Sequence, residues 1–166
     1  MEIFAITLAV LASGITLIAA FLVIGSLFPN FTEDMKDAVG NSQGRVFVLG
    51  LVNAFFFGVI SLVFFAVAEN SGFQIIALPG VGGVLFLTIS AMFGLTGISL
   101  LLGERMFPEH SKSRRSIFGS AVLILGSLTP YIGWFGLAIY LMILAFGAFL
   151  LGIFNRLPRR TTSKDQ

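Results

Sequence analysis

Of the 166 residues, 57% are hydrophobic and 11% charged, and the mean hydropathy is +1.00, a balance that would leave a soluble domain with large apolar surfaces in water. Cysteine is absent, which excludes disulfides, thiolate metal sites and covalently attached c-type haem. The formal charge of +2 comes without a basic-aromatic surface, so the expected partners are anionic lipid headgroups rather than nucleic acid.

The first apolar run covers about 3–28, more than the roughly 20 residues needed to cross a hydrocarbon core. It begins with Glu2 and no cation, unlike a cleaved signal with its basic start and shorter apolar region. A retained helix is expected. Pro29-Asn30-Phe31-Thr32 breaks it, and Thr32 followed by Glu33 and Asp34 offers an N-cap for a short surface helix through about Val39. Gly40 to Gly44 then reads as a turn.

The second run, about 45–68, carries Gly50, Ala54 and Gly58 at intervals of four, a spacing that lets another helix approach closely. Asn53 is its most polar side chain and is expected to hydrogen-bond across to a neighbouring helix. Phe55, Phe56, Phe57, Phe64 and Phe65 surround most of this helix and read as an external packing surface. Phe73 to Leu78 suggests a short interfacial dip before Pro79-Gly80. The third helix is expected over about 81–102, where Ser90 and Gly94 form a second small pair and Thr88, Thr96 and Ser99 can bond back to their own helix.

Ser116 to Phe154 is too long for one crossing, since a single helix there would approach ~60 Å. Pro130 and Gly133 supply a break, giving a hairpin with arms at about 117–128 and 134–154. The short first arm either spans or re-enters, and Tyr131 and Trp134 suit an outer aromatic belt. The fold expected is all-α: one polytopic membrane bundle over residues 1–155, with three full transmembrane helices and a C-terminal helical hairpin, four to five membrane segments in all, followed by a basic cytoplasmic tail at 156–166.

Phe28-Pro29, Pro79-Gly80, Leu101-Leu102-Gly103-Glu104-Arg105 and Pro130-Tyr131-Ile132-Gly133-Trp134 resemble an uncharacterised bacterial multi-pass membrane module. That module occurs alone or joined to bactofilin-like polymer-forming domains. The resemblance spans nearly the whole chain, implies a scaffolding or assembly role and transfers no catalytic residue. The 166 residues themselves contain no stretch that reads as a polymer-forming domain.

All ten Lys and Arg residues fall in the first and third interruptions or the tail, which places the start outside and the tail in the cytoplasm of a bacterial inner membrane. Arg105, Lys112, Arg114, Arg115, Arg156, Arg159 and Arg160 are expected to anchor the bundle to headgroups. The loop from Gly103 to His110 gathers two carboxylates, an Arg and the sole histidine, but lacks the three or four spaced ligands of a zinc site. It reads as a solvated turn, and no metal or cofactor is expected. No titratable group lies within an apolar segment, where ion-coupled transport would need one. The function expected is a non-catalytic membrane subunit or scaffold docking through Gly50, Ala54, Gly58, Ser90 and Gly94, within a larger complex or against itself. The alternative is a small transporter or channel using the breaks near Pro79 and Pro130.

Overall fold

The computed structural model describes residues 2–129 and 132–156, and every element among them is helical. The order is α1 (Glu2–Leu27), α2 (Pro29–Ser71), a 3-10 turn (Gln74–Ala77), α3 (Leu78–Met106), α4 (Lys112–Leu128), a wide π-helical turn (Ile132–Leu137) and α5 (Ala138–Arg156). Four stretches are long and apolar enough to cross a membrane: Phe4–Leu27, Pro29–Ser71, Gln74–Met106 and Phe135–Arg156.

Phe28 is the single residue between α1 and α2. Its φ of −126° and ψ of 56° turn the chain, and Pro29 opens α2, where its missing N–H has no helical partner to lose. Thr32 is therefore not the N-cap that the sequence suggests. Its hydroxyl donates back to the Phe28 and Pro29 carbonyls, at 3.1 and 3.0 Å, inside a helix that has already begun. The expected turn from Gly40 to Gly44 shrinks to one non-helical residue, Ser42, with φ −149° and ψ 55°. Next to it, the Gln43 amide donates to the Tyr140 hydroxyl of α5 at 2.9 Å, and the kink thus divides the first turns of α2 from its long apolar run.

At the far end Gly72 adopts φ 71°, a left-handed conformation that closes a helix without a Cβ clash. A 3-10 turn follows where the dip is expected, with Phe73, Ile75 and Leu78 all exposed. Pro79 and Gly80 do not interrupt a helix but lie in the first turn of α3, the one helical position that tolerates proline. On the other side of the bundle, α4 begins at Lys112, five residues before the expected arm, because nothing from Lys112 to Ser116 breaks a helix.

The core lies where α2, α3 and α5 meet, around Met35, Val46, Ile98, Leu144, Ala145 and Ala148. A ring-on-ring series runs through it from Phe28 to Phe93, Phe149, Phe86 and Phe57, with centroids 5.0 to 6.1 Å apart, a spacing suited to edge-to-face attraction. Phe57 thus points inward against Phe86 and Phe146, which removes it from the expected outer surface; Phe55, Phe56 and Phe65 remain exposed. Helix α1 is peripheral, with only 6% of its most apolar stretch buried by the rest of the chain, against 44% for α5.

Candidate functional site: glycine seams and an ion-paired end

Two kinds of contact hold the helices together, and each occupies its own region. In the apolar body, glycines bring backbones into direct contact. A Cβ at Gly50 would fall on the Ile143 carbonyl oxygen, and one at Gly147 on the Val46 carbonyl oxygen, so α2 and α5 meet reciprocally. A Cβ at Gly94 would meet the Ala145 carbonyl, tying α3 to α5. Gly103 and Gly119 do the same between α3 and α4, against the Arg115 and Ser99 carbonyls. Such spacing permits Cα–H···O contacts and dense van der Waals packing, the attractions left to helices when lipid surrounds them.

The expected ridge on α2 divides accordingly. Gly50 sits in the seam, Ala54 is half-buried, and a Cβ at Gly58 would find no atom within 4 Å. Asn53 does not reach another helix; its amide donates to the Leu49 carbonyl of its own helix at 2.9 Å, a local partner always within reach. Ser90 is fully buried and donates to the Phe86 carbonyl at 2.6 Å, leaving the small surface beside Gly94 to receive Ala145. Gly80 lies near the Ser61 carbonyl, and Gly133 near the Gly126 and Ser127 carbonyls. Both expected breaks are thereby filled by neighbouring backbone. Pro130, Tyr131, the Trp134 side chain, Arg159 and Arg160 lie outside the described residues.

At one end, charges from four helices converge. Lys36 of α2 is 2.8 Å from Glu104 of α3 and only 21% exposed. Glu104 also lies 4.0 Å from Arg115 of α4, Lys112 of α4 pairs with Glu33, and Arg156 of α5 is 2.8 Å from Asp34 with its guanidinium 4.9 Å from the Phe31 ring centre. Glu33, Lys36, Glu104, Lys112 and Arg115 frame a cleft of about 220 Å³. Lys112, Arg115 and Arg156, expected to meet headgroups, are thus engaged within the chain, whereas Arg105 and Arg114 are exposed and form no ion pair among the described residues.

The loop after α3 is more ordered than a solvated turn. Arg115 donates from Nε to the His110 carbonyl at 2.7 Å and from a terminal nitrogen to the Pro108 carbonyl. The His110 ring stands edge-on to Phe107 and Phe118, and its Nδ1 is buried without a partner. Among the described residues no three His, Cys, Asp or Glu side chains gather as metal ligands.

Lys36 is the hub of the charged end, so its pairing with Glu104 carries a measurable expectation. A double-mutant cycle of Lys36→Ala and Glu104→Ala, read by melting in detergent, should give a coupling of about 1 kcal/mol, the upper range for partly exposed pairs. High salt should weaken it. A coupling of zero would mean that the helices meet here without electrostatic help.

The α3–α4 and α5 glycines were visible only in part. Ser99 and Gly103 stand four apart, a small pair of the same kind as Ser90 and Gly94, and could have been counted. Gly119 and Gly147 have no small residue four positions away, so spacing alone does not mark them. Comparison with family models, with curated proteins and with solved structures finds no match to this chain.

Proposed function

We propose that this chain is a non-catalytic integral membrane subunit or scaffold that docks onto a second membrane helix, of a partner subunit or of another copy, through the outer face of α2. The observation that carries this reading is Gly58. It is the member of the Gly50-Ala54-Gly58 ridge at which an added Cβ would meet none of the described residues within 4 Å, and it lies among the exposed Phe55, Val59 and Leu62. A notch between large apolar side chains is the shape into which another helix packs. The filled breaks at Gly80 and Gly133 favour a packed subunit over a transporter, whose broken helices would line a cavity. The scaffolding role implied by the resemblance to the bacterial membrane module belongs to the same proposal.

The membrane placement follows from charge. The end where Lys36, Lys112, Arg115 and Arg156 converge is the cytoplasmic one, which sets the start of α1 outside and the tail inside a bacterial inner membrane. Helices α1, α3 and the part of α2 beyond Ser42 cross, and α4 with α5 form a hairpin that enters and leaves from the cytoplasmic side.

Native mass spectrometry of the full chain, extracted in mild detergent, tests the docking. The parent should carry additional subunits or copies, and Gly58→Leu should lose them by about tenfold in abundance, since filling the notch removes about 1–2 kcal/mol of helix contact. A parent that is monomeric, or a variant that retains its partners, would sink the proposal.

A further inference from the structure

Beside the ion-paired cleft lies a second one of about 250 Å³, sharing Leu100 and Lys112 with the first. Leu22 and Gly25 of α1 and Leu100 of α3 form its apolar side; Lys112, Ser113 and Ser116, from the first turns of α4, form its polar side.

Two independent features mark this place. Ser111 stands at the N-cap of α4 without a side-chain hydrogen bond to the first turn, so no cap satisfies the donor end of this 17-residue helix, which carries partial positive charge. The second feature is Ser116. It is only 6% exposed, it lines the cleft, and its hydroxyl forms no hydrogen bond among the described residues. Ser90, Ser99, Ser120 and Ser127 all donate to a carbonyl three or four residues back. Ser116 shows no such bond, which leaves its hydroxyl available at the wall of the cleft. Lys112 stands at the mouth, 65% exposed, with Glu33 as its partner and further N–H donors to spare.

We infer that this cleft binds one anionic phospholipid. The phosphate meets Lys112, the Ser113 and Ser116 hydroxyls and the first amides of α4, a donor set suited to a phosphate oxyanion. An acyl chain follows the crevice between α1 and α4, which the two helices close further along, where Gly14 faces Ile124 at 3.7 Å from an added Cβ. The apolar side decides for a lipid over free phosphate: Leu22 and Gly25 belong to a helix that is long and apolar enough to cross a membrane and is left almost uncovered by the rest of the chain. The inference rests on the membrane placement proposed above and not on the docking of α2.

The test titrates the delipidated full chain in mild detergent with dioleoylphosphatidylglycerol, dioleoylphosphatidylcholine or inorganic phosphate, read by native mass spectrometry. One phosphatidylglycerol should remain bound under conditions that strip phosphatidylcholine. Ser113→Ala/Ser116→Ala should weaken it by at least roughly tenfold, the order expected for hydrogen bonds to a charged group, and Lys112→Gln should weaken it again. Arg114→Gln, on the same turn but outside the cleft, should bind as the parent does, and Ser116→Thr, which keeps the hydroxyl, should retain the lipid. Equal retention of both lipids would overturn the inference, as would unchanged affinity in the double-serine variant. Inorganic phosphate binding as tightly as phosphatidylglycerol would overturn the acyl-chain assignment and leave an anion site. Subunit number is read in the same spectra, so failed lipid binding and failed docking are separately visible.

Discussion

Gly147→Leu should lower the melting temperature of the detergent-solubilised chain by roughly 10 °C, while Gly58→Leu leaves it within experimental scatter. The two glycines have similar sequence surroundings, and only their neighbours differ. A Cβ at Gly147 would fall on the Val46 carbonyl oxygen and stand 2.9 Å from the Gly50 nitrogen. Both atoms are backbone, so no rotamer change can make room. The seam between α2 and α5 must open along its length, separating Gly50 from Ile143 and pulling Gly94 from Ala145, because Gly147 and Ala145 lie on one helix. Overpacking a close contact costs about 3 kcal/mol when no side chain can yield, and a chain of this length loses about 2–4 °C per kcal/mol. At Gly58 a Cβ meets nothing within 4 Å, so the isolated bundle has no reason to respond. Circular dichroism melts of the two purified variants beside the parent decide the matter. An unchanged melt for Gly147→Leu would mean that α2 and α5 do not touch at this point.

The contrast also shows what the sequence carried. Hydropathy and the placement of ten cations announced helices and their ends, because burying a charge in lipid is costly enough to be forbidden in almost every segment. The spacing of small residues found Gly50 and Gly94, each of which receives α5. It could not tell Gly50 from Gly58, since a helix eight residues long on one face passes its partner at only one crossing, and the crossing point depends on where the partner's own glycine stands. Gly147 supplies that information from almost a hundred positions away. The ion pairs of the charged end were hidden for a related reason. Lys112, Arg115 and Arg156 read as headgroup anchors one loop at a time, and their pairing with Glu33, Glu104 and Asp34 emerges only once four helix ends share a corner. Asn53 failed in the opposite direction: a carbonyl four residues back was nearer than any neighbouring helix.

The depth reached by α4 follows from its seam with α3. Gly103 lies against Arg115, and Gly119 lies against Ser99, which is an antiparallel register in which each step up one helix is a step down the other. Continued to the end of α4, that register brings Leu128 level with Ser90, whereas α3 continues back to Leu78, roughly 18 Å further at 1.5 Å per residue. With the membrane placement proposed above, helix α4 is expected to stop inside the apolar layer. Its exposed backbone is tolerated there because the π-helical turn that leads into α5 lies against it, with Gly133 close to the Gly126 and Ser127 carbonyls and Leu137 reaching Gly126 at 3.1 Å from an added Cβ; irregular backbone at membrane depth survives only when protein covers it. The absence of cysteine makes the test direct, since each introduced thiol is the sole one. In intact cells a membrane-impermeant maleimide should label Asn70→Cys, beside the Gly72 cap at the outer end, and should leave Thr129→Cys and Glu109→Cys unlabelled. After permeabilisation Glu109→Cys should become reactive, while Thr129→Cys stays at least about tenfold slower than either, because a thiol held in apolar surroundings remains protonated. Rapid labelling of Thr129→Cys from outside would show that α4 crosses completely, and the same orientation of the tail would then arise from five crossings in place of three and a re-entrant hairpin.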